Sequence, residues 1–468
     1  MIPGKQRQCN KTTDLNRHAL SLMINSDSDL TWVAALRSLK KPGFGLVLFL
    51  IGMHLMYFLP LLIPSSMKDG AAASTWRYGL LARILIFAGA FLEAKASGFW
   101  LLKRHPIWTG WSIVAIFLTS IISVMDGAGF IEILTRQHAF IWMLLIPAVV
   151  LRSNNWVWLL LTLTVHAVIG ILHGLYQIVG VGEASRVALI LENDRYLFFT
   201  SALYMGLFLL LLTPSFRVKS LRVLAISAYV VLCINEFFAA QRYPLLLIPA
   251  ELLILTYCVF RTTLVRGEIF RGAMVLLLAL ALIACIWQFV QTAPETQGIK
   301  TMVIDADEQL MKRMTNKGDF SSTISNNERW AEVIAGMKSM TWWNWLIGKG
   351  VVPTDLAPGM IVAGGIHNTY ANSFYWGGIP LFIMVIIPFV WALKVFWRSR
   401  EPVGLGCAAF MLIVYLKFPA YVITTDTLYW LLFCIALGCC ARSEALLTQA
   451  LRDISPGKHI RRFDRRSA

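Results

Sequence analysis

Apolar runs of about 20 residues recur along most of this chain, and no other feature constrains its fold as strongly. A run of that length crosses the hydrocarbon of a bilayer as a helix. Inside lipid, only a helix or a closed barrel satisfies every backbone N–H and C=O. Barrel strands alternate polar and apolar residues, whereas these runs are apolar throughout. Of the 468 residues, 57% are hydrophobic and only 15% charged, more apolar sequence than a soluble core absorbs. The expected fold class is all-α: a polytopic membrane protein of about twelve transmembrane helices, with one large loop between the ninth and tenth.

The expected spans are Phe44–Ile63, Tyr78–Glu93, Ile107–Val124, His138–Leu151, Trp156–Gly180, Tyr196–Pro214, Leu221–Ala239, Tyr243–Phe260, Gly272–Gln291, Ser373–Phe396, Gly404–Val422 and Leu428–Ala441. They divide the chain into a tail (1–43), nine spans (44–291), a large loop with short helices (292–372), three spans (373–441) and a basic tail (442–468). The loop is too small to fold as a separate domain.

Cations set the orientation. Lys5, Arg7, Lys11, Arg17, Arg37, Lys40 and Lys41 lie in the first tail, and Arg452, Lys458, Arg461, Arg462, Arg465 and Arg466 in the last. Alternate short loops carry Lys103 with Arg104, Arg152, Arg217 with Lys219, Arg261 with Arg266, and Arg398 with Arg400. All fall on one side if both tails are cytoplasmic, as the positive-inside rule expects. The net charge of +16 therefore reflects topology and does not point to nucleic acid. The first 40 residues read as a cationic tail rather than a cleavable signal peptide. Cys9, Cys233, Cys258, Cys285, Cys407, Cys434, Cys439 and Cys440 fall in spans or on the cytoplasmic side, so no disulfide is expected. No internal repeat is visible, which disfavours common transporter architectures.

Polar groups gather on the opposite face. The loop re-enters the membrane through Gly365-Ile366-His367-Asn368-Thr369-Tyr370. An imidazole such as His367 exchanges protons near neutral pH, while Asn368 bonds locally. Arg242 sits in the tight turn Ala240-Gln241-Arg242-Tyr243-Pro244, where a guanidinium either clamps a phosphate or anchors the helix at the interface. Arg329 precedes Trp330 near the start of a helix expected over Glu332–Met340, with Val333, Met337 and Met340 on one face. It can serve an anion there or pair with Glu332. Asp426 occupies the last outside turn, as a helix cap or as an imidazole-orienting carboxylate.

Within the spans, Glu251, Lys417 and Glu236 are ionisable and so functional candidates. A structural Glu251–Lys417 pair is an equal reading. His166 and His173 share a face, though without a third ligand they read as packing histidines rather than a metal site. Gly348-Lys349-Gly350 marks a turn. No phosphate-binding P-loop, zinc-protease motif or nucleophile elbow is present.

Taken in order, Arg242 in its turn, Asn327-x-Arg329-Trp330 in the long loop, Gly348-Lys349-Gly350-Val351, and His367-Asn368-Thr369-Tyr370 followed by Gly377-Gly378 resemble the O-antigen ligase and Wzy-type polysaccharide polymerase superfamily. The match runs from Phe237 to Pro380. It departs at Gln241, where serine is frequent, and at Tyr370-Ala371, where a leucine-like residue is typical.

The resemblance implies a bacterial inner-membrane glycosyltransferase acting at the periplasmic face, inverting, metal-independent and without a cofactor. Its donor would be a glycan on undecaprenyl diphosphate. Its acceptor would be another such glycan or a lipid A core sugar. Inner-membrane lipids and a chain-length regulator or export complex are the expected partners. Charge developing on the diphosphate suits Arg242 and Arg329. His367 would take the acceptor's proton, with Asp426 orienting it. Arg186 and Arg195 would extend the phosphate site, and Asn368 and Glu251 complete the expected substrate-binding set. The near-balanced charge of the large loop leans toward a polymerase. The competing class is a transporter or flippase for lipid-linked glycans, drawn from Glu251, Lys417 and the span-five histidines.

Overall fold

The computed structural model describes residues 41–62, 68–151, 153–180, 207–208, 211–212, 219–238, 242–266, 333–351, 366, 368–399, 401–420 and 427–454. The helices are α1 (Phe44–Leu62), α2 (Lys68–Ala96), α3 (Trp100–Arg104), α4 (Pro106–Met125), α5 (Phe130–Leu145), α6 (Ser153–Gly180), α7 (Lys219–Phe238), α8 (Arg242–Arg266), α9 (Trp342–Ile347), α10 (Thr369–Arg398), α11 (Pro402–Lys417) and α12 (Thr427–Ile454). Short 3₁₀ segments continue α5 over Ile146–Leu151 and α11 over Phe418–Ala420. No strand occurs among the described residues.

The chain is a helical membrane protein. Among the described residues, four stretches are long and apolar enough to cross a bilayer: Pro106–Met125, Phe130–Leu151, Thr369–Arg398 and Trp430–Thr448. Their lipid-side character shows in α4, where Ile107, Phe117, Val124 and Met125 are exposed. By contrast α11 is apolar all round and buried from Gly404 to Tyr415, which makes it the centre of the bundle. The helices α8, α10 and α12 pack around it.

Small residues bring helices to backbone contact. At the crossing of α1 and α2, a Cβ on Gly89 would lie 2.5 Å from both the Gly45 carbonyl oxygen and the Phe49 nitrogen. Glycine is required there because any side chain would force the two backbones apart.

Helix ends that the alternating spans assign to one face meet in the structure. Asn155, at the start of α6, donates 2.7 Å to Glu93, at the end of α2. A Cβ on Gly45, at the start of α1, would lie 3.0 Å from the same carboxylate. On this face Ser443 of α12 donates to Glu401 at 2.7 Å, and Lys394 of α10 pairs with Glu444 of α12. Arg261 of α8 donates 3.0 Å to the Trp397 carbonyl of α10. The opposite face gathers the end of α4, the start of α5, α9 and the start of α10.

Element boundaries differ from the sequence reading in several places: α2 begins at Lys68 rather than Tyr78, α8 runs to Arg266 rather than Phe260, and three further differences have a visible cause. α12 runs through Ala441 to Ile454, into the region expected as tail, because Arg442–Leu451 are largely helix-forming residues held by the Glu401 and Lys394 contacts. α5 begins at Phe130 rather than His138, on an amphipathic turn closed by the Glu132–Arg136 i,i+4 pair. α10 begins at Thr369 rather than Ser373, because Asn368 caps it. Spans six and nine fall mostly or wholly outside the described residues, as does most of the large loop. The expected helix near 332–340 is present over 333–338, and Val333 and Met337 pack on the core as expected.

Candidate functional site

The start of α10 is built by its asparagines. Asn368 has extended backbone, and its side chain accepts the Ala371 N–H at 3.0 Å. Its carbonyl accepts the Asn372 N–H at 2.7 Å, and the Asn372 side chain accepts the N–H of buried Ile366 at 3.1 Å. The residues on either side of His367 are thereby tied to the first turn of α10. His367 itself lies outside the described residues.

Proline shapes the next two turns. In an unbroken helix the Trp376 carbonyl would accept from residue 380 and the Met384 carbonyl from residue 388, but both are proline and lack N–H. Neither carbonyl is left without a donor. Gly350 N–H reaches the Trp376 oxygen at 3.0 Å, and Trp108 Nε1–H of α4 reaches the Met384 oxygen at 3.1 Å. Lys349 N–H donates 2.8 Å to the Tyr375 carbonyl, freed because the helix breaks at Gly378 (φ 60°, ψ −152°).

The sequence segments Gly348-Lys349-Gly350-Val351 and Gly377-Gly378 thus form one crossing. Gly348 has φ 86°, and a Cβ there would lie 2.2 Å from the Trp376 carbonyl oxygen. A Cβ on Gly378 would lie 2.7 Å from the backbone of Leu346 and Ile347, and one on Gly350 (φ 82°) 3.0 Å from Ser123 Oγ. Only glycine fits where backbones approach this closely. Val351 N–H donates to Ser123 Oγ at 2.9 Å, and Arg136 of α5 donates to the Val351 carbonyl at 3.3 Å. The Lys349 ammonium lies 3.2 Å from Ser339 Oγ and 5.8 Å from the Tyr375 ring centroid. Beside the crossing, α9 exposes Trp342, Trp343 and Trp345, the first two stacked at 3.7 Å.

Behind the start of α10 lies a polar chain inside the bundle. Tyr370 donates 3.0 Å to the carbonyl of Tyr415, near the end of α11. Lys417, which ends α11, lies 3.5 Å from Glu251 of α8, and each side chain is 1% exposed. Tyr229 of α7 donates to the other Glu251 oxygen at 3.1 Å. Three helices, α7, α8 and α11, therefore meet at one buried carboxylate. A charge pair this deep is stabilised by its partners and costs stability when one is removed.

The chain matches no family model and no curated protein.

Among the expected site residues, Asn368 caps α10 and Glu251 sits in the buried pair. Arg242 opens α8. Arg186, Arg195, Arg329, Asp426 and His367 lie outside the described residues. His166 finds its contact across the bundle: its Nε2 lies 2.8 Å from Nδ1 of His54 on α1, the rings edge to face. No group of three His, Cys, Asp or Glu that could hold a metal occurs among the described residues. The sequence reading passed over Arg136, His54 and Tyr229. Arg136 carried a usable signal, its i,i+4 spacing from Glu132; the other two become visible only through contacts distant in sequence.

Proposed function

We propose that this chain is a metal-independent, inverting glycosyltransferase of the bacterial inner membrane, with about twelve spans and both termini cytoplasmic. It would work at the periplasmic face, the face that carries α9 and the start of α10. It moves a glycan from undecaprenyl diphosphate to an acceptor sugar, polymerising repeat units or ligating O-antigen to lipid A core. The observation that carries the reading is the glycine crossing. Two motif pieces that resemble the ligase and polymerase superfamily, separated in sequence, interlock directly beside the capped turn that follows His367.

In this reading the acceptor oxygen attacks the anomeric carbon as the bond to the diphosphate breaks. His367 takes the acceptor's proton, with Asp426 orienting the ring. Arg242 and Arg329 neutralise the leaving diphosphate, and Arg186 and Arg195 extend that site. Asn368 supports the reading by fixing the turn that follows His367 in the sequence.

The test is made in cells that build the polymer. Arg242→Ala, Arg329→Ala or His367→Ala should abolish glycan product while protein level is unchanged and precursor accumulates on the periplasmic side. Normal product would remove that residue from the mechanism. Precursor held inside would favour the second reading, a flippase for lipid-linked glycans. The specific observations favouring that reading are the Glu251–Lys417 and His54–His166 pairs within the spans.

A further inference from the structure

The short helix α9 buries none of its side chains. Five of its six residues are apolar, and all five are exposed, from Trp342 at 63% down to Ile347 at 38%. A segment this short does not hold a helix in water by itself. Two constraints hold it here. Thr341 and Asn344 close a capping box, with Thr341 Oγ1 donating to Asn344 Oδ1 at 2.7 Å and Asn344 Nδ2 donating to the Gly348 carbonyl at 3.2 Å. The far end of α9 docks by backbone on α10, where a Cβ at Gly378 would lie 2.7 Å from Leu346 and Ile347. Trp345 stands edge-on to Phe374 of α10 at 5.0 Å. What remains is an uncharged strip of indole and aliphatic side chains facing outward.

The depth of that strip indicates what covers it. Gly378 precedes Arg398, the basic end of α10, by twenty residues, a helical rise of about 30 Å and so about one hydrocarbon thickness. A second helix gives the same level independently. Ser123, which accepts from Val351, stands seventeen residues beyond Pro106 on α4, a rise of about 26 Å from the end that adjoins Lys103 and Arg104. Next to Ser123 the apolar side chains Val124 and Met125 are exposed, as are Phe130 and Ile131 at the start of α5. The strip on α9 therefore meets the lipid-facing surface of the bundle at the level where hydrocarbon gives way to headgroups.

Tryptophan suits that boundary, since its ring body is apolar and its N–H seeks a polar partner. A sugar stacked on the same rings would need polar side chains beside them. Thr341 and Asn344, the polar residues nearest in the chain, are already committed to the cap.

We propose that α9 lies in the plane of the membrane, on the face opposite the Arg398 end, with Trp342 and Trp343 seated among phospholipid headgroups. The anchor holds the glycine crossing at the bilayer surface. This inference goes beyond the glycosyltransferase reading and does not depend on it.

The experiment uses the full chain with the photo-crosslinker p-benzoylphenylalanine in place of Trp342, Trp343 or Val124, one position at a time. Each protein is reconstituted in nanodiscs of phosphatidylethanolamine and phosphatidylglycerol, irradiated, and read by mass spectrometry of its peptides. Melting temperatures are measured alongside. Positions 342 and 343 should gain phospholipid adducts in yield comparable to Val124 on the lipid-facing side of α4. Absence of phospholipid adducts at both, with Val124 labelled and melting as in wild type, overturns the proposal. Adducts to a second copy of the chain, or to added undecaprenyl-diphosphate glycan, in place of phospholipid overturn it as well. Glycan transfer by wild type is measured on the same preparation. Its absence with phospholipid adducts intact would sink the glycosyltransferase reading and leave the anchor standing.

Discussion

Gly350 donates its backbone N–H to the Trp376 carbonyl that Pro380 deprives of a helical partner. The proline that kinks α10 is thus also what opens the helix to the Gly348–Val351 segment. Gly350→Ala should lower stability by about 1–2 kcal/mol for the left-handed backbone alone. Gly348→Ala should cost more, since its Cβ would meet the Trp376 oxygen at 2.2 Å. Pro380→Ala should restore a competing donor and loosen residues 348–351. Thermal melting in detergent and amide hydrogen exchange check these outcomes.

The second carbonyl orphaned by proline makes a separate prediction. Trp108→Phe keeps a six-membered aromatic ring and removes the indole N–H that donates to Met384. The exposed cost is that of one buried acceptor, about 1–3 kcal/mol, read as a lower melting temperature. Pro388→Ala in the same background should recover much of it by restoring the helical N–H.

Glu251 and Lys417 yield a double-mutant cycle. Lys417→Met or Glu251→Gln alone should destabilise strongly, by about 3–5 kcal/mol for breaking a buried pair. The double variant should regain most of that loss, because no uncompensated charge remains. If it also regains full glycan product, the pair is structural. Recovered stability without recovered product would place it in substrate handling.

Acid should destabilise the protein through His105. This residue lies between α3 and α4, its Nε2 is 3.4 Å from the Ala441 carbonyl oxygen, and its ring packs on Trp391. Burial lowers its pKa below the ordinary value, although the Ala441 bond opposes this. Above about pH 6.5 the ring is neutral in both folded and unfolded chains, so it contributes no pH dependence. As pH falls below that, the unfolded chain gains the proton first and stability declines until the folded pKa is passed. Melting temperatures from pH 8 to 5 should fall less steeply for His105→Gln than for wild type.

The helices were legible in the apolar runs: wherever the structure describes residues of an expected span, helix stands there, and four of these stretches are long and apolar enough to cross a bilayer. The amphipathic ends were not legible from apolar runs. The first turns of α5 and the last of α12 carry Glu132, Arg136 and Glu444, whose charges interrupt a run while their pairings extend the helix. The turn at Gly348-Lys349-Gly350 was readable from glycine spacing, but its docking on Gly377-Gly378 was not. That requires knowing which carbonyls Pro380 and Pro388 leave open and which donors fold against them. The same holds for His54 with His166, partners remote in sequence. For Glu251 the sequence held two readings open, and the geometry supplies its partners in Lys417 and Tyr229.

The most direct test of the central claim uses purified protein in nanodiscs with its undecaprenyl-diphosphate glycan and no nucleotide, wild type against His367→Ala. The account predicts transferred or lengthened glycan and released undecaprenyl diphosphate from wild type, and neither from His367→Ala. A ladder of repeats would mark a polymerase, and a single transfer requiring added lipid A core a ligase. Equal turnover by His367→Ala, or none by folded, donor-binding wild type with either acceptor, would contradict it.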